Sequence, residues 1–339
     1  MGQTAQMSPG VQTVVIGLDV GGTSVKGGLV DRQGHLVGDP VTFDPHSHED
    51  AESILAAFAG GVGWLLQQAG ERPVAGIGVG MPGPFDYERG VSLIKNLGKY
   101  DALYGLNLAD SLRAELALAA NFPVRFLNDA VAFALGEVYF GAGRGFERVM
   151  AITLGTGCGS AFIVGGRSVK EGDGIPADGY VYNLPFRGGI VDDWLSRRGI
   201  LRLWQSMQPG AQPGHGQQRS DATADLDVVD LARLAMDGDT AARQLFDAFG
   251  ELIAGALAPT VAAFCPDCLV IGGQIARSFA LFGPRLKECL LENGFGTNET
   301  CTKASATQAG GMVIVPAADI DAAAVKGAAS YIWWKEMGM

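Results

Sequence analysis

The segment Asp19-Val20-Gly21-Gly22-Thr23 places a carboxylate, two glycines and a hydroxyl directly after the apolar run of residues 14–18. A glycine turn lets backbone N–H groups approach an anion without obstruction by side chains, so this turn suits a phosphate. Gly155-Thr156-Gly157-Cys158-Gly159-Ser160 supplies a second such turn with two hydroxyls. Glycine-rich hairpins are usually turns and nothing more, so either segment alone is a weak signal; in duplicate contexts the pair suggests a nucleotide held between two halves. Asn128-Asp129 follows the strand-like residues 124–127 and precedes the helical residues 130–140. Open α/β sheets bind ligands outside such strand ends. Asp129 there reads either as a helix cap or as a base that takes the proton of a hydroxyl attacking a phosphoryl group.

Other motifs carry less. Gly78-Val79-Gly80-Met81-Pro82-Gly83 has the G-x-G-x-x-G spacing of dinucleotide sites, but Pro82 and the following Pro84-Phe85-Asp86 open no apolar helix. Cys265-Pro266-Asp267-Cys268 has C-x-x-C spacing with no second pair and no pair of histidines, so it reads as core thiols. His46 and His48 stand in a polar loop and receive no role.

The elements that must position these residues show in the pattern. Residues 14–19, a turn at 21–23, residues 25–30 and a turn at 31–34 read as a meander, and the same order recurs at 149–154, 155–157, 159–164 and 165–166. The recurrence implies a structural duplication. After the first meander come helix-period or strand segments at 51–68, 74–79, 108–119 and 124–127; after the second, at 192–207, 228–236, 240–264, 269–271, 275–291 and 313–315. Strands alternating with helices predict an α/β protein with two layered sheets. Residues 208–224, rich in Gln, Gly and Pro, read as a loop, and residues 320–334 as a terminal helix returning to the first domain.

Composition narrows the classes. At 339 residues the prior is about two domains of roughly 150 residues. An apolar share of 47% and a mean hydropathy of +0.18 exclude disorder as the main state. The net charge of -11 and a pI near 4.8 argue against nucleic-acid and anionic-membrane partners. Residues 149–166 have the length of a membrane span, but Thr153, Thr156 and Ser160 stand among glycines there, which favours two strands around a turn. Five cysteines without a framework fit a reduced cytoplasm, and residues 1–10 lack the charged start and apolar core of a signal peptide.

Taken in order, Asp19-Val20-Gly21-Gly22-Thr23, the GIGVGMPG segment of residues 76–83, Asn128-Asp129-Ala130, residues 154–159 and residues 269–273 resemble the ROK family of sugar kinases over nearly the whole chain. The resemblance implies an α/β fold of two actin-like ATPase (ribonuclease H-like) domains with a central cleft. The domains expected are residues 11–130 with 318–337, and residues 131–317. It implies ATP and Mg2+, with phosphoryl transfer to a hexose or hexose-like polyol and Asp129 as the base. Asp19, Gly21, Gly22 and Thr23 would face the phosphates and magnesium, with Thr156 and Gly157 opposite; Gly272 and Gly273 would flank the adenosine. Asn96 and Asn128 would face the sugar, although Asn96 also reads as a plain turn residue.

The family's Gly-Glu-Ile-Gly-His element and zinc-binding cysteine loop are replaced here by Pro176-Ala177-Asp178-Gly179-Tyr180 and by residues 189–196. Asp178 and Asp192 hold the positions of the two sugar-facing glutamates, Asp178 only loosely, and no structural zinc is expected. Shorter acids imply an altered sugar pocket, with a cyclitol or an amino sugar as alternative acceptor and polyphosphate as an alternative donor. The family also includes repressors with a leading helix-turn-helix domain, for which the dozen residues before the first strand leave no room. A non-catalytic sugar-binding protein is the remaining alternative, and homodimers are common in the family.

Overall fold

The computed structural model describes residues 12–208, 226–292, 294 and 311–336; the polar leader and nearly all of the loop expected at 208–224 lie outside these. Two compact units divide the chain. One runs to Phe140 and resumes at Asp321, and the other spans residues 141–320.

The first unit opens with β1 (Val14–Val20), β2 (Val25–Val30) and β3 (Leu36–Phe43). Then come α1 (Ala51–Ala69), β4 (Val74–Met81), the short pair β5 (Phe85–Asp86) and β6 (Val91–Ser92), α2 (Leu108–Glu115), β7 (Val124–Asn128) and α3 (Asp129–Phe140). The sheet order is β3-β2-β1-β4-β7, antiparallel across the meander and parallel from β1 to β7. Asp19 lies opposite Gly80 and Met81 opposite Asn128, which puts Asp19 and Asn128-Asp129 at one carboxyl edge of three parallel strands. Helix α1 starts where the Asp50 carboxylate accepts the Ser53 N–H at 2.8 Å and stops at Gly70, whose φ of 58° an L side chain resists.

The second unit repeats the plan with β8 (Arg148–Leu154), β9 (Cys158–Val164) and β10 (Arg167–Val169). A hairpin of β11 (Pro185–Phe186) and β12 (Gly189–Ile190) precedes α4 (Val191–Trp194), α5 (Arg197–Met207), α6 (Val228–Met236) and α7 (Thr240–Phe264). β13 (Cys268–Gly272), α8 (Phe279–Glu292) and β14 (Val313–Pro316) complete it, and α9 (Ala323–Glu336) belongs again to the first unit. The sheet order β10-β9-β8-β13-β14 matches the first position for position. The apolar residues 149–166 form the antiparallel β8/β9 pair. Helix α7 is long and apolar enough to cross a membrane by length and composition alone, and Phe246, Phe249, Ile253, Leu257 and Phe264 bury it in the second core.

Three expected boundaries move. The helix expected over 192–207 breaks at Ser196, whose Oγ donates to the Asp192 carbonyl at 2.7 Å and accepts the Gly199 N–H at 3.3 Å, ending α4 and capping α5. The helix expected over 108–119 stops at Glu115, and Ala117 turns left-handed at φ 49°. The domain boundary falls after Phe140 and before Asp321, not at 130/131 and 317/318. α3 stays with the first unit because it packs on α9 backbone to backbone: a methyl group on Gly136 would overlap the Ala323 carbonyl, and one on Gly327 the Ala132 carbonyl. Glycines of the G-x-G-x-x-G segment serve the same packing, Gly78 against Ala328 of α9 and Gly80 against Ala132 of α3.

Candidate active site

After β1 the chain turns through Gly21, Gly22 and Thr23, closed by the Gly21 N–H donating to the Ser24 carbonyl at 3.0 Å. Both glycine carbonyls are held by distant hydroxyls. Tyr100 Oη donates to the Gly21 carbonyl at 2.5 Å, and Ser47 Oγ donates to the Gly22 carbonyl at 2.6 Å. The Tyr100 N–H donates to the Ser47 carbonyl at 2.6 Å and joins the two braces. Tyr100 is buried, and burial together with the Asp44 charge pushes its phenol pKa up, so the hydroxyl keeps its proton to donate. Carbonyl oxygens would repel a phosphate; once they are tied to hydroxyls, the turn offers its amides beyond Gly21 and the exposed Thr23 side chain.

At the start of α3 the Asn128 Oδ1 accepts the Ala130 N–H at 3.0 Å and the Val131 N–H at 3.3 Å. Its amide donates to Tyr87 Oη at 3.3 Å, which donates to the Met81 carbonyl at 3.1 Å. Helix capping therefore falls largely on Asn128, while Asp129 Oδ1 shares the Ala130 N–H at 2.9 Å. Burial raises the Asp129 pKa, opposed by the Ala130 N–H and by the charge of Lys99. Asp19 is pushed up to about 6 by burial and then by the Asp129 charge, with Lys26, its cross-strand neighbour, working against both. The first unit thus brings Asp19 and Asp129 within electrostatic reach of each other. Asn96 is exposed and left-handed at φ 60°, in a loop where the Asp101 carboxylate accepts the Leu97 and Gly98 N–H groups, each at 3.0 Å.

In the second unit the Gly155 N–H donates to the Gly157 carbonyl at 3.0 Å, and the Gly155 carbonyl accepts the Arg197 N–H of α5 at 2.8 Å. Asp192 enters this turn. Its Oδ1 accepts the Cys158 N–H at 2.7 Å and its Oδ2 pairs with Arg198 Nη2 at 3.0 Å. A methyl group on Gly157 would lie 2.8 Å from Asp192 Oδ1, so the close approach needs glycine. Asp192, expected to hold acceptor hydroxyls, has its Oδ1 on the second turn and its Oδ2 on Arg198. Burial and the Asp192 charge push the Cys158 thiol up to about 12, which leaves it a poor nucleophile.

Thr156 is exposed at the tip of this turn. Gly272 ends β13 opposite Thr153, and the Leu154 backbone fills the space where a side chain on Gly273 would go. Asp178 is exposed and left-handed at φ 56°, in a turn held to β9 by Ser160, whose Oγ donates to the Gly179 carbonyl at 2.7 Å and accepts the Val181 N–H at 2.9 Å. Cys265 and Cys268 are buried cysteines. Among the described residues, no three His, Cys, Asp or Glu side chains gather as a metal-holding group.

Ser47, Lys99, Tyr100 and Arg198 were not singled out from the sequence. Ser47 lies between the two loop histidines, and Lys99-Tyr100 follows the Asn96 segment directly. No local periodicity ties them to a turn 25 and 79 residues away.

Two sheets of one strand order, each with a glycine turn after its first parallel strand, define the duplicated α/β fold of the actin-like ATPases. A ROK family glucokinase from Streptomyces griseus, solved in complex with glucose and AMPPNP, shares this fold with a TM-score of 0.71 at 22% identity, over 94% of this chain and 98% of that one. The chain belongs to the ROK family, whose model matches residues 15–335. A glucokinase of Thermotoga maritima is 29% identical over 312 residues, which is 87% of this chain and 94% of the relative. An N-acetyl-D-glucosamine kinase of Pectobacterium carotovorum is 26% identical over 283 residues, 77% of this chain and 84% of the relative.

Proposed function

We propose that this chain transfers the γ-phosphoryl group of ATP to a hydroxyl of a hexose or hexose-like polyol, with Asp129 as general base. The chain is an ATP-dependent sugar kinase of the ROK family. One observation carries the role of Asp129: it stands at the carboxyl edge of the first sheet beside Asp19, and Asn128 takes the capping duty that would otherwise absorb it. In this reading Asp129 accepts the proton of the acceptor hydroxyl as that oxygen bonds to the γ-phosphorus. The bond from phosphorus to the bridging oxygen breaks, and its electron pair leaves on ADP. Burial raises the proton affinity of Asp129 and makes it a stronger base, while the Lys99 charge favours the ionised form.

The Gly21–Gly22–Thr23 turn orients the phosphates. The donor set fits magnesium: Asp19 is a carboxylate whose proton affinity burial and then the Asp129 charge raise, an arrangement that a hard cation relieves. Asp19 would hold the ion, which when bound neutralises charge on the phosphate oxygens. ATP supply places the reaction in the cytoplasm. The N-acetyl-D-glucosamine kinase relative supports an amino sugar as the second acceptor class. ATP consumption measured against a panel of hexoses, amino sugars and cyclitols tests the reading, and a panel without a single acceptor overturns it.

A further inference from the structure

Lys99 lies across the first glycine turn. A methyl group built on Gly22 would sit 3.0 Å from Lys99 Cδ and 3.4 Å from its Nζ, so the lysine stem covers this glycine and its ammonium group ends beside the turn backbone. The loop that carries it is fixed from both sides. Asp101 holds the Leu97 and Gly98 N–H groups before it, and Tyr100 immediately after it is bonded to both Gly21 and Ser47. The backbone that carries this long, flexible cation is thereby fixed, which limits the freedom lost when it meets an anion. Its charge also reaches Asp129. One ammonium group thus lies beside a phosphate-type turn, within electrostatic reach of the carboxylate assigned as base.

We propose that Lys99 binds the transferring phosphoryl group, holding its oxygens over Gly22 while the acceptor hydroxyl gives its proton to Asp129. This rests on the kinase reading above. Lys99 gives up no proton in the step. It offsets the negative charge on the phosphoryl oxygens as the bond to the acceptor forms and the bond to the bridging oxygen of ADP breaks. Bringing a triphosphate beside two carboxylates calls for such a cation.

Lys99→Met keeps the stem over Gly22 without the charge, Lys99→Gln is a second neutral variant, and Lys99→Arg restores the cation. Calorimetry with AMPPNP, ADP and adenosine is run beside turnover with the best acceptor. The neutral variants are expected to weaken AMPPNP by about tenfold or more, to weaken ADP less and to leave adenosine unchanged. Turnover is expected to fall by about 10²-fold, with partial recovery in Lys99→Arg. AMPPNP affinity and turnover within about twofold of the parent overturn the proposal, as does an equal loss for all three ligands, which marks a merely structural lysine. A parent protein that binds AMPPNP but phosphorylates no acceptor sinks the sugar-kinase reading alone, and the binding series still decides Lys99. A parent that does not bind AMPPNP overturns both.

Discussion

The Tyr100 hydroxyl donates to the Gly21 carbonyl at 2.5 Å across 79 residues of sequence, fixing one end of the glycine turn that follows β1. Tyr100→Phe removes one oxygen and leaves that carbonyl without this partner. The expected loss is about 1–3 kcal/mol of stability, read from the denaturant midpoint, together with weaker AMPPNP binding and unchanged adenosine binding. An unaltered midpoint with unaltered AMPPNP affinity would show that the brace does not matter.

Asp129→Asn preserves shape and removes the proton acceptor. Turnover is expected to fall by roughly 10²-fold or more, while AMPPNP affinity stays near that of the parent. Near-normal turnover in this variant would remove Asp129 from the role of base.

Asp192→Ala leaves the Cys158 N–H without its carboxylate acceptor and takes from Arg198 the nearer of its two carboxylates, Asp193 being the other. Because the loosened segment holds Thr156 and Gly157, the KM for ATP should rise more than the KM for the acceptor. The opposite split in steady-state kinetics would place Asp192 at the acceptor, as the sequence resemblance implied.

Asp31 accepts the Gln33 N–H at 2.8 Å and the His35 N–H at 2.9 Å in the turn from β2 to β3. Burial raises its pKa, but the His35 and Gln33 hydrogen bonds outweigh burial, so the net shift is downward. A lowered native pKa stabilises the fold above the unfolded value of about 3.9 and loses that contribution as pH falls through the native value. The stability gap between the parent and Asp31→Ala should therefore shrink below about pH 4. A gap that stays constant from neutral pH to pH 2 contradicts the assignment.

The His and Cys residues of the family's zinc loop are replaced in this chain, and residues 176–196 are tied down by Ser160, Ser196 and Arg198 instead. Untagged protein should therefore carry no stoichiometric zinc by elemental analysis, and chelator should leave its melting temperature unchanged. One zinc per chain would refute this.

What the sequence reveals here is what local chemistry decides. The β1 strand and its turn were legible because a buried strand ending in two glycines needs no distant partner to be recognised. Helix α7 matches its expected span because Asp239 caps one end and left-handed Cys265 stops the other. The break between α4 and α5 was hidden, since Ser196 interrupts an apolar period with hydrogen bonds that no pattern displays. The Ser47 and Tyr100 braces and the α3–α9 contact were hidden for a stronger reason. They pair residues far apart in sequence, and only the folded sheet brings them together. Asp192 was found by spacing, but its orientation toward Cys158 and Arg198 is a tertiary fact.

The return of α9 to the first unit bears on how the protein is made. Val15 and Val30 of the first sheet are covered by Val325, Ala329, Ile332 and Trp333, which leave the ribosome after the whole second unit has emerged. During translation that apolar face waits without its lid, while the second unit already has its own complete set of strands and helices. The second unit is therefore free to fold first, and a premature stop before residue 321 would release a chain whose first sheet presents a sticky surface to chaperones and proteases.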